Sequence, residues 1–394
     1  MTATGARETA VARTGHPAGE GYMRQLDGLR ALAVGGVLIA HFLPGPMQFG
    51  LPWGRMGVLL FFVLSGFLIT GILLRARDLV AAGGQTTLMT LRQFVVRRTL
   101  RIFPLYFAWT ALMLLLDVGG CREWAASILT YTLNWVQAYT GETPRHFGHY
   151  WTLAVEEQFY LAWPLVILLV PARRTGLAIA AAVALSFACI VAADVAGYDQ
   201  MARFTTNYLF VLVAGAALAL RSHNADARQE PAGPLSIVYL VAGVLLCFGG
   251  IAVGGRVDLT VVERVGMTLI SLWLISRAAL GFGGPIGAML SSRPLVYVGA
   301  ISYGIYIIHM PLRGLFDQHA AGWANGFSSE VRDPALAVAL LRALVWTVAT
   351  LAVAALSFHL FEQPLNRLKR HFPMKLPARP TDTVSVRAPA AANP

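Results

Sequence analysis

A mostly apolar stretch, LDGLRALAVGGVLIAHFL at residues 26–43, carries Arg30 near its start and His41 near its end. At about 100° per residue, the spacing puts both on one helical face, about 16 Å apart along the axis. An ionisable group at membrane depth costs about 2.5–3.5 kcal/mol or more, so such groups turn towards a partner or a wet cavity. A second pair, Glu156 and Glu157, lies in HYWTLAVEEQFYLAW. Adjacent helical residues diverge by about 100°, so the two acids are expected in different environments, with Glu156 facing inward at a depth similar to His41. A carboxylate beside a histidine fixes its tautomer and raises its basicity, as a general base for a hydroxyl requires. The bland alternatives are an Arg30 that snorkels to the headgroups, a His41 that packs, and a Glu–His pair that only joins two helices.

Arg98 and Arg101 are spaced to share a helical face. Guanidinium groups bind phosphate bidentately, so a cytoplasmic arginine pair suits a nucleotide-bearing donor, although topology alone also concentrates arginines there. His309, in ISYGIYIIHMPL, is assigned to the acceptor side or to packing. Tyr150 and Trp151, at the outer start of the HYW span, are grouped with it as substrate-facing residues. Ser65 has no Gly-x-Ser-x-Gly elbow around it and reads as a packing residue. Glu362, in FEQP, reads as a helix-end or interfacial group. The three cysteines, Cys121, Cys189 and Cys247, show neither metal-ligand spacing nor a disulfide framework. No metal is expected.

These residues must be positioned by membrane helices. The chain is 56% hydrophobic and 13% charged, with a mean hydropathy of +0.60. Its apolar residues come in blocks of roughly 17–25, long enough to span a bilayer. The expected fold is all-α, a polytopic transmembrane bundle. A net charge of +11 would suggest nucleic acid in a soluble chain. Here the arginines gather in short loops between apolar spans, the pattern of cytoplasmic loops facing anionic lipid, so no nucleic-acid partner is expected. Spans are predicted at 26–43, 57–74, 102–117, 151–170, 177–196, 204–220, 235–254, 263–280, 295–316 and 336–361. Residues 75–101 are expected to be a cytoplasmic loop whose second half, TLRQFVVRRTLRIF, could lie along the membrane interface. Segment 124–139 is ambiguous. Placing Arg173 and Arg174 inside requires that it not cross, giving ten spans with both termini cytoplasmic; eleven spans would put those arginines outside. Residues 1–23 are polar, expected to be disordered and cytoplasmic, and lack the core of a cleavable signal. Residues 24–365 form the membrane domain, and 366–394 a basic tail that becomes Pro/Ala-rich.

Six pieces in order, LDGLRALAV with its Arg-x10-His, GVLLFFVLSGFLIT, RRTLRIFPLY, HYWTLAVEEQFYLAWPL, SYGIYIIHMPL and the closing FEQP, resemble the integral-membrane acyltransferase family 3 over about residues 24–365. The resemblance implies O-acylation, usually O-acetylation, of a carbohydrate or other hydroxyl, with cytoplasmic acyl-CoA as donor substrate and no permanently bound cofactor. It implies Arg30 and His41 as the catalytic pair of the first span, Arg98 and Arg101 as donor-side arginines, and Glu156 as the acid of the VE-x-QFY motif. Some members append an extracytoplasmic esterase-like domain. With about 30 residues after its last span, this chain is expected to complete transfer within the membrane domain or to hand the acyl group on. The LDGLR opening is closer to envelope-glycan members than to those that modify antibiotics. The expected location is the bacterial inner membrane. Direct transfer is preferred, with an acyl-histidine intermediate as the other route. The rival functions are acylation of a small secreted metabolite such as a macrolide, or a flippase for a glycan intermediate, for which no inverted repeat is visible.

Overall fold

The structure is a computed structural model that describes residues 23–197, 203–228, 233–252, 259–319 and 334–374. The expectations for residues 1–22 and 375–394 lie outside the described residues. Among the described residues there is no strand. The α-helices are α1 (Arg24–Phe42), α2 (Trp53–Ala81), α3 (Thr87–Leu116), α4 (Ala125–Leu129), α5 (Leu133–Thr140), α6 (Trp151–Leu169), α7 (Thr175–Val195), α8 (Thr205–Ala227), α9 (Ile237–Ala252), α10 (Leu259–Leu280), α11 (Gly284–Leu290), α12 (Arg293–Ala300), α13 (Ser302–His319), α14 (Pro334–Ser357) and α15 (Gln363–Arg367).

Six described helices are long and apolar enough to cross a bilayer, or eight if two bent pairs each count as one span. The expected ten are not reached by length and composition. Arg24, Asp27 and Arg30 crowd the first half of α1, and α9 has 16 residues, about 24 Å of helix. The span expected at 295–316 is two helices, α12 and α13, meeting at 66°. Gly299 lets α12 lie directly on α1: a Cβ there would stand 1.9 Å from the Asp27 carbonyl oxygen. Segment 124–139 contains no helix long enough to cross a bilayer. It forms only α4 and α5, of 5 and 8 residues, with Tyr131 between them at φ 54°.

Residues 75–101 are not a loop. α2 runs on to Ala81 and α3 begins at Thr87, where the Thr86 side chain accepts from the Met89 N–H at 3.2 Å. The segment read as interfacial and the short third span are therefore one helix of 30 residues. At about 45 Å it exceeds the ~30 Å hydrocarbon core.

The bundle is built on α1 and α2. α2 packs against α1, α3, α6, α8 and α10, while α1 also meets α11, α12, α13 and α14. Helices in lipid gain little from hydrophobic burial against one another, so close backbone approach supplies the attraction. Gly66 of α2 and Gly215 of α8 provide it: added Cβ atoms would stand 1.8 Å from the Leu212 carbonyl oxygen and 2.1 Å from that of Val63.

Candidate functional site

The continuity of α3 turns Arg98 and Arg101 into the bundle. With Arg30 of α1, Ser65 of α2 and Glu156, Glu157 and Tyr160 of α6, they line a cavity closed on another side by Tyr303 and Tyr306 of α13. It encloses about 740 Å³ when its open mouth is included. Arg30 pairs with Asp27 at 3.3 Å. The Arg98 guanidinium lies 5.7 Å from the ring centroids of both Phe94 and Tyr160. Among the described residues, neither Arg98 nor Arg101 has a carboxylate oxygen within 4.0 Å. Glu156 accepts a hydrogen bond from Ser65 Oγ at 2.7 Å, and Ser65 accepts one from Tyr160 Oη at 3.0 Å. Ser65 is thus the group that holds Glu156, a role beyond helix packing. Glu157 lines the same cavity. The expectation that the two acids occupy different environments does not hold, because the cavity is wide enough to take in residues 100° apart on α6.

The second polar region lies at the other end of α1. His41 Nδ1 is 3.0 Å from the Val37 carbonyl and 3.2 Å from His309 Nε2. His309 Nδ1 is 2.7 Å from the Tyr306 carbonyl, and His149 Nε2 is 3.1 Å from the same oxygen. The rings of His149 and His309 have centroids 4.5 Å apart. Arg313 Nη1 donates to the His41 carbonyl at 2.5 Å and stacks on Trp346 at 4.5 Å, satisfying a carbonyl at the end of α1.

Arg30 and His41 both turn towards α13, as their spacing predicts, but they belong to separate regions. The cavity holds Arg30, Arg98, Arg101 and Glu156; the histidine cluster holds His41, His309 and His149. Glu156 is not beside His41. The turn Gly148–Tyr150 brings His149 level with His41, and Glu156 lies seven residues further, about 10 Å deeper. Tyr306 joins the two regions, its side chain lining the cavity and its carbonyl holding two histidines.

Tyr150 and Trp151 are not in the cavity lining. Tyr150 is buried, and its hydroxyl donates to the Ile307 carbonyl at 3.2 Å. Pro311 of α13 has no N–H for that carbonyl, so the tyrosine takes the vacant role. Trp151 packs on Phe62 and Tyr208, at 6.3 and 4.9 Å between ring centroids. Glu362 is not a free helix end. It is buried in a π-helical turn, Phe358–Glu362, where Ser357 Oγ donates to it at 3.2 Å. Sequence reasoning missed His149, Tyr160 and Tyr306. His149 sits at the head of the motif already singled out for its acids, and the proline two residues after His309 signals a carbonyl in need of a donor.

The fold has relatives among known sequences. A family model described as an acyltransferase domain matches residues 23–361. Peptidoglycan O-acetyltransferase OatA of Listeria monocytogenes is 28% identical over 377 residues, covering 88% of this chain and 56% of that protein. "Putative peptidoglycan O-acetyltransferase YrhL" of Bacillus subtilis is 28% identical over 374 residues, 88% of this chain and 55% of the relative. The chain therefore spans little more than half the length of these two relatives. No solved structure matches it. With most of its length matched by one family model and with multiple apolar helices, this multi-pass membrane protein belongs to the acyltransferase domain family.

Proposed function

We propose that the chain is an O-acyltransferase of the bacterial inner membrane, with both termini cytoplasmic. In this reading it moves an acetyl group from cytoplasmic acyl-CoA to a hydroxyl of an envelope glycan, peptidoglycan being the acceptor that its relatives' names suggest. One observation carries the reading: three arginines converge on one cavity, and the helix that supplies Arg30 ends at His41 beside two further histidines. Arg98 and Arg101, which have no carboxylate oxygen within 4.0 Å among the described residues, are suited to a phosphate-bearing donor.

In the proposed chemistry, Arg98 and Arg101 hold the donor's phosphates and Arg30 lies towards its thioester. Glu156, tethered by Ser65, offsets part of the charge of Arg30 and Arg98 across the cavity. The acceptor hydroxyl gives its proton to His41 Nε2 as its oxygen bonds to the acyl carbon; the C–S bond breaks, and the CoA thiolate leaves and takes up a proton. Direct transfer needs no serine or cysteine carrier, and acyl-CoA is a substrate. Tyr306 stands where the donor's arm would pass from the arginines to His41.

Purified protein in nanodiscs, given acetyl-CoA and peptidoglycan fragments, is expected to release free CoA thiol and to yield acceptor one acetyl group heavier. Thiol release only with a small hydroxylated metabolite would move the acceptor to that class. No release with either, alongside movement of a glycan lipid across the bilayer, would replace the enzyme with a flippase.

A further inference from the structure

His309 has no exposed surface, so what it can act on is set by its neighbours. A carbonyl oxygen only accepts, so the 2.7 Å contact with Tyr306 fixes a proton on His309 Nδ1. The 3.0 Å contact of His41 Nδ1 with the Val37 carbonyl fixes a proton there as well. Neutral His309 then has a bare Nε2, 3.2 Å from the His41 Nδ1–H. The reverse arrangement, with His309 donating, would press a bare His41 nitrogen against the Val37 carbonyl. His149 does not compete, because its Nε2–H is spent on the Tyr306 carbonyl, and its Nδ1 is buried with no hydrogen-bond partner among the described residues. In both rings, the hydrogen-bonding pattern places the neutral-state proton on Nδ1.

Resting on the acyl-transfer reading, we propose that His309 is a positioning residue whose Nε2 accepts the Nδ1–H of His41, holding His41 in the tautomer that presents a bare Nε2 to the acceptor hydroxyl. When that nitrogen takes the hydroxyl proton, the His41 ring becomes cationic. Its Nδ1–H then donates more strongly to the Val37 carbonyl and to His309 Nε2. The contact tightens as charge develops, so it acts on the rate of the chemical step and leaves binding of either substrate alone. A neutral imidazole here takes the place of the carboxylate that orients histidine in many hydrolases, and Glu156 is not available because it lies in the other region.

The test is a cycle of His309→Leu, His41→Ala and the double variant, with single-turnover rate and both KM values measured in nanodiscs. His309→Leu is expected to lower the rate tenfold to a hundredfold, with both KM values within twofold of wild type. In the His41→Ala background it should change nothing further. His309→Gln, whose side chain places an acceptor near the Nε2 position, should recover most of the rate; the shorter Asn should not. Additive losses in the double variant, or a raised acceptor KM with an unchanged rate, would overturn the inference and make His309 a structural or substrate-contacting residue. If His309→Leu does not fold, the Gln and Asn variants decide, and equal activity in the two overturns it. Wild-type protein that releases no thiol fails the acyl-transfer reading itself; wild-type transfer with an undiminished His309→Leu rate fails only this inference.

Discussion

Two polar regions share one helix bundle and are built on opposite principles. The cavity around Arg30, Arg98, Arg101, Glu156 and Glu157 is open, charged and sparsely bonded. The cluster of His41, His149 and His309 is packed, and among the described residues its ring nitrogens meet backbone carbonyls and one another, with no carboxylate. Open space lined by two arginines without a carboxylate in salt-bridge range suits a large anionic ligand that arrives and leaves. Rings fixed by carbonyls suit a group that must keep one tautomer while a proton moves. Helix α1 ties the two together, supplying Arg30 to one and His41 to the other.

The sharpest way to break this division is at His41. His41→Ala is expected to lower single-turnover transfer by about 10²–10⁴, the usual loss with a general base; a wild-type rate would make the histidine a packing residue. The arginines come next. Arg98→Ala or Arg101→Ala should weaken acyl-CoA binding about ten- to a hundredfold, the loss of a charge-assisted contact of about 1.5–3 kcal/mol, while the bound donor still reacts. Unchanged binding would reduce these arginines to a topology signal.

Glu156→Gln should impair transfer by several-fold and more than Glu157→Gln, since Glu156 holds the Ser65–Tyr160 chain. An equal or reversed effect would move the cavity's essential acid to Glu157. Tyr150→Phe sharpens the comparison from the packed side. It strands the Ile307 carbonyl, should cost about 1–3 kcal/mol of stability, and should leave donor binding intact, as a thermal unfolding series with and without acyl-CoA would show.

The smallest expected effect lies outside the spans. Burial, against a weaker opposing influence of Asp317, holds His146 below its ordinary value. A histidine with a lowered folded pKa adds stability above about pH 6.5, which is lost as pH falls below that and the unfolded chain binds the proton first. His146→Asn should flatten that acid limb; an unaltered slope would assign it to other groups.

Much of the fold was legible because apolar block length and the ~30 Å bilayer core are the same physical constraint. The Arg30–His41 face was legible because helical period alone determines it. The position of Arg98 and Arg101 was not, because Pro104 inside α3 and the run of arginines before it look like the end of a loop. Membrane helices nonetheless continue through proline. The pairing of Glu156 with His41 failed on depth: counting spans gives the direction of α6 but not the level at which its first turn starts. His149 was hidden for the same reason, and Tyr306 because its contribution to the cluster is a backbone carbonyl that any residue type could supply.

The division of labour is tested most directly by acetyl-CoA affinity in two variants side by side, His41→Ala and Arg101→Ala, in nanodiscs without acceptor. The expected result is a Kd within twofold of wild type for His41→Ala and tenfold or more weaker for Arg101→Ala. A Kd weakened tenfold by His41→Ala and unmoved by Arg101→Ala would contradict it, placing the donor among the histidines.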